Sequence, residues 1–506
     1  MSEQSQAPAQ AAQGAQEGSA PSRRRLGPWG IAFLVISAAA PLTVVVSAAP
    51  MSFRLGGIGA PGAMLLCGLI LVLFAFGFTA MTRHVPNSGA FYAYALHGLG
   101  KGAGIGLAMV TVFAYVFLNL AFYAFIGFFG NMLCSTLLGA DVPWWLCSLV
   151  ALALVGFLGA RQVDVGAKVL AILVGLEIAI LLVICLAVLI HGGPEAPSAA
   201  GLDPRAVLFG GGTSALLVIG FGAYLGFEGT AIYAEEAKNP GRTVPRATYG
   251  VVLGLAVFYA FTFWILTLAF GVDGVLALAA SDSFEDMLMV ASGQYLGEWA
   301  VTAISILVVT SFLACALSFH NASTRYVFSL AREGLLPAKL ARLSPRTQAP
   351  SRASLLISAL ALVAILIAAF TVADPYLGLA LWTYATGVQG LVFSQAVAAI
   401  AVVAYFVRNR RGHSVWRVLV APALGALGLT IGFLLIVSNF EITSGMQGWV
   451  NVALIAPTPI LFLAGFVISA VLRKRRPQTW EELGRGDQQR TVDTDAAAPE
   501  ALRAEA

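Results

Sequence analysis

The sequence predicts an all-α polytopic membrane protein with twelve transmembrane helices. Of its 506 residues, 59% are hydrophobic and 11% are charged, and the mean hydropathy is +0.85. This composition excludes an ordinary soluble globular domain. Apolar runs of about 18 residues or more are long enough to cross a hydrocarbon layer of about 30 Å. We number them segments 1 to 12, and they span residues 29–50, 58–81, 104–134, 143–160, 167–191, 206–234, 246–271, 298–323, 352–372, 376–406, 417–438 and 449–472.

The basic residues predict how these segments are oriented. If successive segments cross the membrane in opposite directions, all of the 29 lysines and arginines except Arg54 and Arg205 fall on one side of the membrane. Lys and Arg are enriched in cytoplasmic loops, so both termini are predicted to be cytoplasmic. The net charge of +4 is therefore a topology signal and does not indicate a nucleic-acid partner. Because Arg greatly outnumbers Lys and Ala and Gly are abundant, we expect a bacterial cytoplasmic membrane.

Neither the two ends of the chain nor the cysteines are expected to form a binding or catalytic site. Residues 1–25 and 476–506 are polar or Ala-rich and are predicted to be disordered cytoplasmic tails. No cleavable signal peptide is expected, because nothing apolar precedes Arg23. The five cysteines lie in or near apolar segments without metal-ligand spacing, so they are expected to be small packing residues.

Segment 1 is predicted to break near its middle. Pro41 has no N–H, and its ring clashes with the carbonyl of Ser37. Ala38, Ala39 and Ala40 leave space for a ligand to approach the backbone. The alternative is a packed proline kink without a binding role.

Segments 2 to 5 contribute few polar groups. The Gly- and Pro-containing stretch 83–94 is predicted to be a short interfacial element. Tyr115, Asn119 and Tyr123 share one face of segment 3, which either lines a cavity or holds helices together. Glu177 in segment 5 has no basic neighbour in the sequence, so it must be neutral, paired or hydrated. It is either functional or a merely hydrogen-bonded, protonated carboxyl.

Segment 6 combines seven glycines with one carboxylate, Glu228, between Ala206 and Tyr233. Glycine destabilises a helix by about 1 kcal/mol relative to alanine, and an intramembrane carboxylate costs about 2.5 to 3.5 kcal/mol. We therefore predict a second broken helix rather than a plain anchor, followed by a hinge at 240–245.

The later segments carry one further polar feature. Ser311, Cys315 and Ser318 form a small polar stripe on segment 8, and His320 near its end is expected to be an interface residue rather than a proton relay. Segments 11 and 12 have almost no interior polar residues and are predicted to be scaffold or a dimer face. The protein is accordingly expected to be a monomer or a homodimer.

Two broken helices at corresponding positions indicate transport. Segments 1 and 6 each open a set of five, and interrupted helices persist in a bilayer only where they are buried in protein or line a wet cavity. Such a pair is the best sequence indication of a transporter's binding site. Its half-helix ends suit a carboxylate and an ammonium, so the expected substrate is an amino acid or a small amine.

Three motifs carry a family resemblance. They are Gly226-Phe-Glu228 with residues 235–246, the stretch 86–94, and the stretch 323–337. Together they resemble the amino acid-polyamine-organocation (APC) superfamily of permeases. The resemblance covers about residues 26–475 and implies the LeuT-type fold. In that fold, residues 26–200 and 201–410 are inverted five-helix repeats, and 411–475 hold two further helices.

In the family, the substrate lies between the unwound parts of helices 1 and 6, with contributions from helices 3, 8 and 10. The resemblance therefore implies a substrate-binding set consisting of Ser37, Ala38, Ala39, Ala40, Pro41, Thr43, Asn119, Phe221, Gly222, Ala223, Tyr224, Gly226, Ser311 and Ser318. Glu228 matches a glutamate that links the pocket to the intracellular gate in some members. Glu228 and Glu177 are predicted to serve in gating or ion coupling.

Three departures from the family pattern limit what the resemblance implies. The usual Gly-Ser-Gly type of turn in helix 1 is replaced by residues 39–42, which puts recognition of an α-carboxylate in doubt. Gly222 stands where many relatives have an aromatic lid, so Phe221 or Tyr224 are the candidates. Glu177 stands where some proton-coupled relatives use a lysine. A carboxylate there could bind Na⁺, carry a proton or pair with an amine substrate.

The predicted function is secondary active transport of amino acids or related small amines by alternating access, with H⁺ favoured over Na⁺ as the coupling ion. The alternatives are an exchanger or a Na⁺-coupled symporter. A membrane-embedded enzyme is less favoured because the sequence has no metal-ligand spacing and no paired acids. A channel is less favoured because the sequence has no selectivity-filter motif. No catalytic residues, metal or other cofactor are therefore predicted.

Overall fold

The computed structural model describes residues 27–85, 89–160, 163–345, 347 and 349–484. The side chains of residues 163–167, 235, 236 and 240 are not part of this description. The predicted N-terminal tail, residues 86–88 of the second motif and residues 485–506 of the predicted C-terminal tail lie outside the described residues.

The described chain is built of helices, which confirms the all-α prediction. We number the helices after the predicted segments and divide the two broken ones into a and b parts. The helices are α1a Pro28–Ala39, α1b 41–56, α2 Ala60–Thr82, α3 Lys101–Leu138, α4 Trp144–Gly159, α5 Val163–His191, α6a Thr213–Ala223, α6b Gly229–Ile232, α7 Pro240–Phe270, α8 Glu298–Arg332, α9 Ser351–Thr371, α10 Tyr376–Arg408, α11 Trp416–Ser438 and α12 Trp449–Arg475.

The number of membrane crossings follows in part from helix length. Nine helical stretches of the described chain are long and apolar enough to span a membrane. The first, Pro28–Thr82, contains both α1 and α2, which are separated at Gly57, where φ is +72°. Helices α4 and α6a are apolar but shorter, at 16 and 11 residues. The protein is thus a multi-pass membrane protein, and the count of twelve crossings stays a prediction.

Short helices connect the long ones. The end of the stretch 83–94, which is predicted to be an interfacial element, belongs to a helix, Phe91–Leu99, that packs against α3 and α10. Its location at the membrane interface stays a prediction. The remaining connecting elements are Ala200–Leu202, Pro204–Leu208, Tyr233–Glu236, Val272–Ala280, Phe284–Asp286, Met287–Leu296, Ala338–Ala341, Phe440–Ser444 and Pro477–Glu482.

Contacts between distant loops define one side of the molecule. His84 and His413 approach with 3.1 Å between their Nε2 atoms, and the amide of Gly484 donates to Glu333 Oε2 at 2.8 Å. These contacts join connections that the sequence assigns to the same, basic side. We call this side the basic face and define it by the described residues 83–85, 89–100, 333–345, 349–350, 409–415 and 476–484. The opposite face consists of residues 192–212, 271–297 and 439–448.

The helix Pro477–Glu482 lies within the predicted disordered tail 476–506, and the structure differs from that prediction here. Lys101 Nζ lies 3.8 Å from the centre of the Trp480 ring, and Trp480 Nε1 donates to Ser469 Oγ at 3.1 Å. The Leu483 side chain is only 3% exposed. Trp480 and Leu483 anchor this otherwise polar segment. The prediction of disorder used the composition averaged over residues 476–506, in which two apolar side chains have little weight.

Candidate functional site

The break in α1 lies where the sequence predicts it. Helix α1a ends at Ala39, Ala40 is in the left-handed region with φ of 40°, and Pro41 begins α1b. Pro41 cannot donate a backbone hydrogen bond, so the ladder is interrupted at this point. A non-glycine residue such as Ala40 costs of order 1–3 kcal/mol in this conformation, which the surrounding packing must offset.

The break in α6 packs directly on the break in α1. Helix α6a ends at Ala223, and α6b begins only at Gly229. Between them, Gly226 has φ of +95°, and a Cβ added there would lie 2.5 Å from Cβ of Ala38. Both the backbone conformation and the close approach require glycine at this position. The two predicted breaks therefore form one site.

A central cavity of about 130 Å³ lies on the side of the breaks nearer the opposite face. Its volume is close to that of an engineered protein cavity of about 150 Å³ that binds benzene, so it can hold a side chain of about that size. Five of the predicted binding residues line it: Ala38, Ala39, Thr43, Gly222 and Ala223. The exposed residue Ser47 also lines the cavity, which connects it to the surface.

An aromatic wall that the sequence analysis did not identify completes the cavity. It consists of Phe122 and Phe125 from α3, Phe312 from α8, and Tyr376 and Tyr384 from α10. The rings of Phe125 and Phe312 stack with 4.8 Å between centroids and 18° between planes. The helical period was the available signal, because Phe122 lies one turn beyond Asn119 on the face already singled out.

Tyr384 lies over Gly222, the residue that stands where many relatives have an aromatic side chain. Its hydroxyl donates to the Gly222 carbonyl at 3.4 Å, and a Cβ on Gly222 would lie 3.0 Å from the Tyr384 Oη atom. The two candidates from the sequence lie elsewhere. Phe221 packs against α11, and the hydroxyl of Tyr224 donates to a backbone carbonyl of α2 at 2.7 Å.

Polar contacts close the site on its other side, towards the basic face. The Ser37 and Ser318 hydroxyls lie 2.7 Å apart, joining α1a to α8, and Asn119 Nδ2 donates to Ser323 Oγ at 3.2 Å. The space beside these contacts is a cavity of only about 10 Å³. Ser37, Asn119 and Ser318 therefore lie in helix contacts outside the lining of the central cavity.

Glu228 lies among these contacts and is fully buried. Its Oε1 accepts a hydrogen bond from the Tyr115 hydroxyl at 3.0 Å, and its Oε2 accepts one from Gln395 Nε2 at 3.5 Å. The carboxyl thus ties broken helix α6 to α3 and α10. We define the inner closure as the set of side chains Ser37, Tyr115, Asn119, Glu228, Ser318 and Ser323.

Glu177 is also fully buried but has a different environment. It lies on α5, which packs against α1a and α8. The Ser311 hydroxyl and the Leu42 backbone lie beside it without reaching hydrogen-bond geometry. Within the described part of the chain, neither oxygen of its carboxyl has a hydrogen-bond partner.

The remaining candidate residues are accounted for as follows. Ala40 and Pro41 form the break without lining the central cavity, and Gly226 lines the small one. His320 Nε2 lies 2.8 Å from Ser354 Oγ on α9, as expected of an interface residue. Among the described residues, no group of three or more His, Cys, Asp or Glu side chains is placed to hold a metal ion.

Comparison with known proteins identifies relatives that are permeases and transporters. The chain is 26% identical over 447 residues to the branched-chain amino acid permease of Lactococcus lactis, covering 84% of this chain and 89% of that one. It is 24% identical over 361 residues to the lysine-specific permease of the same species, covering 69% and 68%. A vacuolar cationic amino acid transporter 4 of Arabidopsis thaliana is 25% identical over 313 residues, covering 58% of this chain but only 50% of the relative.

The family described as Amino acid permease matches residues 30–481, which include both helix breaks, the central cavity and the inner closure. The family and the named relatives agree with the expectation of a carrier rather than an enzyme. The chain belongs to the amino acid permease family of the APC superfamily.

Proposed function

We propose that this protein is a secondary active transporter that moves amino acids or related small amines by alternating access. The observation that supports this most is the meeting of the two breaks, with a cavity on one side and the inner closure on the other. A carrier needs a site reached from only one side at a time. We place it in the bacterial cytoplasmic membrane, with both termini and the basic face in the cytoplasm.

The backbone at the α1 break supplies the groups that would hold an amino acid. The carbonyl end of α1a at Ala38 and Ala39 carries partial negative charge and suits an ammonium group. The amino end of α1b carries partial positive charge and suits a carboxylate. Thr43 lines the cavity one turn into α1b. This assignment retains α-carboxylate binding without the Gly-Ser-Gly turn of many relatives.

We assign coupling to protons carried by Glu177. A buried carboxylate without hydrogen bonds or a counter-charge is too costly to persist, so this carboxyl is neutral in the conformation described. Because it lies beside Leu42 at the start of α1b, a movement at the α1 break would admit water and allow the proton to leave. Sodium binding beside Ser311 and coupled exchange of two substrates are the competing schemes.

Uptake into proteoliposomes under imposed gradients tests this assignment. We expect wild-type protein to accumulate substrate when a pH gradient is imposed, and Glu177→Gln to lose accumulation while retaining exchange of labelled for unlabelled substrate. Glu441→Gln, at an exposed site on the opposite face, is the matched control and should behave as wild type. Accumulation by Glu177→Gln equal to wild type would overturn proton coupling through this residue. Accumulation that follows a Na⁺ gradient alone would support sodium symport.

A further inference from the structure

We propose that the central cavity selects amino acids with an apolar side chain, aliphatic or aromatic, over cationic amino acids and polyamines. This inference rests on the proposed transport function and specifies its substrate class. The relatives named above include permeases for branched-chain, lysine and cationic amino acids, so family membership alone does not decide between these classes.

The side walls of the cavity are mainly hydrocarbon. Besides the aromatic wall, aliphatic side chains from α6 and α10 line it: Val218, Ile219, Leu225, Leu381 and Val388. The polar groups are hydroxyls and backbone atoms concentrated near the breaks and at the mouth, such as those of Thr43 and Ser47. A zwitterion can therefore bind with its charged groups at the breaks and its side chain between apolar walls.

Among the residues that the structure describes, no acidic side chain lines the cavity to receive a second cation. Both oxygens of Glu228 accept hydrogen bonds within the inner closure, and Glu177 lies behind α1 outside the cavity lining. A lysine, arginine or diamine side chain would lose its hydration without gaining a counter-charge, whereas an apolar side chain gains from the same burial.

At Phe312, the aromatic wall does not offer a free ring face to a cation. A cation binds over the face of an aromatic ring. Phe312 stacks against both Phe125 and Phe129, with 18° between planes in each pair and centroids 4.8 and 5.4 Å apart. Ring stacking therefore occupies the face that a cation would require at this part of the wall.

The size of the cavity agrees with this class of substrate. A volume of about 130 Å³ is close to the roughly 150 Å³ of an engineered cavity that binds benzene, so it matches a side chain such as that of leucine or phenylalanine. Tyr384 lies above Gly222 at the boundary of this space, where an elongated, charged side chain would need to displace it.

Uptake of four labelled compounds by the purified full-length protein in proteoliposomes tests the proposal. The compounds are L-leucine, L-phenylalanine, L-lysine and putrescine. We expect leucine or phenylalanine to be taken up with a kcat/KM at least tenfold above that of lysine and putrescine. Uptake of lysine or putrescine at an equal or higher kcat/KM would overturn the apolar assignment and leave the transport function standing. Failure to transport any amino acid, by uptake or exchange, would instead overturn the proposed function.

A wall substitution gives a second, independent readout. Val388→Thr keeps the shape of a buried wall residue but introduces a hydroxyl, so we expect KM for leucine to rise several-fold with little change in kcat. Val257→Thr is the matched control, because this α7 side chain is 63% exposed and lies outside the cavity lining. An unchanged leucine KM in Val388→Thr, or an equal increase in Val257→Thr, would contradict side-chain binding at this wall.

Discussion

The two sides of the helix breaks are held together by different interactions. On the side of the central cavity, the walls are mainly carbon, as in the stacked pair Phe125 and Phe312. On the side of the inner closure, hydrogen bonds such as that from Tyr115 to Glu228 join the helices. Apolar walls can separate around a substrate without leaving buried polar groups unsatisfied. The inner closure can open only when water replaces the hydrogen bonds between its side chains.

The hydrogen bonds of the inner closure determine how much free energy is needed to open it during alternating access. A hydrogen bond contributes about 0.5–1.5 kcal/mol net, because opening exchanges it for bonds to water. The inner closure contains only a few such bonds, so its opening costs a few kcal/mol. That cost is within the range by which ligands shift conformational populations. Hydrogen bonds therefore suit a closure that must repeatedly open.

The largest effect is expected where the two sides meet. Gly226→Ala places a methyl group 2.5 Å from Cβ of Ala38 and strains a residue with φ of +95°. We expect transport to fall at least a hundredfold and the thermal midpoint to drop, because the breaks can no longer pack. Gly250→Ala, on α7 with open space around it, is the control and should transport normally. Wild-type uptake by Gly226→Ala would show that direct contact of the breaks is unnecessary.

The next largest effect tests the inner closure. Glu228→Ala removes the acceptor of the Tyr115 hydroxyl and the Gln395 amide, and each buried donor left unpaired costs about 1–3 kcal/mol. We expect Ala322→Cys, a reporter beside the small cavity, to react about tenfold faster with a polar maleimide in this background. The native cysteines are replaced first.

Glu228→Gln is the matched control for that experiment. The amide keeps one acceptor oxygen for Tyr115, so labelling should increase much less than in Glu228→Ala. Equal labelling of Ala322→Cys with and without Glu228 would mean that this carboxyl does not hold the closure. The contrast between the two sides would then rest on the contacts of Ser37 with Ser318 and of Asn119 with Ser323.

The structure also shows which features of the site could be predicted from the sequence. The break at Pro41 and the glycine at 226 were predictable because they depend on the backbone chemistry of single residues. The aromatic wall was not, since it depends on which faces of α3, α8 and α10 meet. Tyr384 replaces a missing helix 6 aromatic from a residue more than 150 positions away, and only the packed structure brings it over Gly222.

A similar distinction applies to the polar candidates. The sequence placed Ser37 and Ser318 near the breaks, but it could not tell a ligand-facing hydroxyl from one paired with another helix. The structure separates these cases, because their hydroxyls lie 2.7 Å apart. It also separates Glu228, which has two donors, from Glu177, which has none within the described residues.

A smaller effect is expected from the lid on the cavity side. Tyr384→Ala removes the ring that lies above Gly222, so KM for the transported amino acid should rise about tenfold while the protein remains folded. Tyr384→Phe keeps the ring and loses only a hydrogen bond of 3.4 Å, so its KM should change less than twofold. If both variants shift KM equally, the hydroxyl rather than the ring covers the site.

The smallest effect is expected at the basic face, where His84 and His413 meet outside the membrane-spanning helices. Burial and the neighbouring positive charges, including Arg83, lower the pKa of both imidazoles. The folded state thus disfavours their protonation. Their contribution to stability should be present above the ordinary histidine pKa of about 6.5 and be lost as the pH falls below it.

Thermal midpoints of wild type and the double variant His84→Gln/His413→Gln, compared from pH 8 to pH 5, measure this contribution. We expect the wild type to lead by about 1 °C at pH 8, because the pair is only partly buried, and the lead to disappear towards pH 5. A lead that grows on acidification would mean that the pair is held together by a shared proton, and the basic face would then tighten when the cytoplasm becomes acidic.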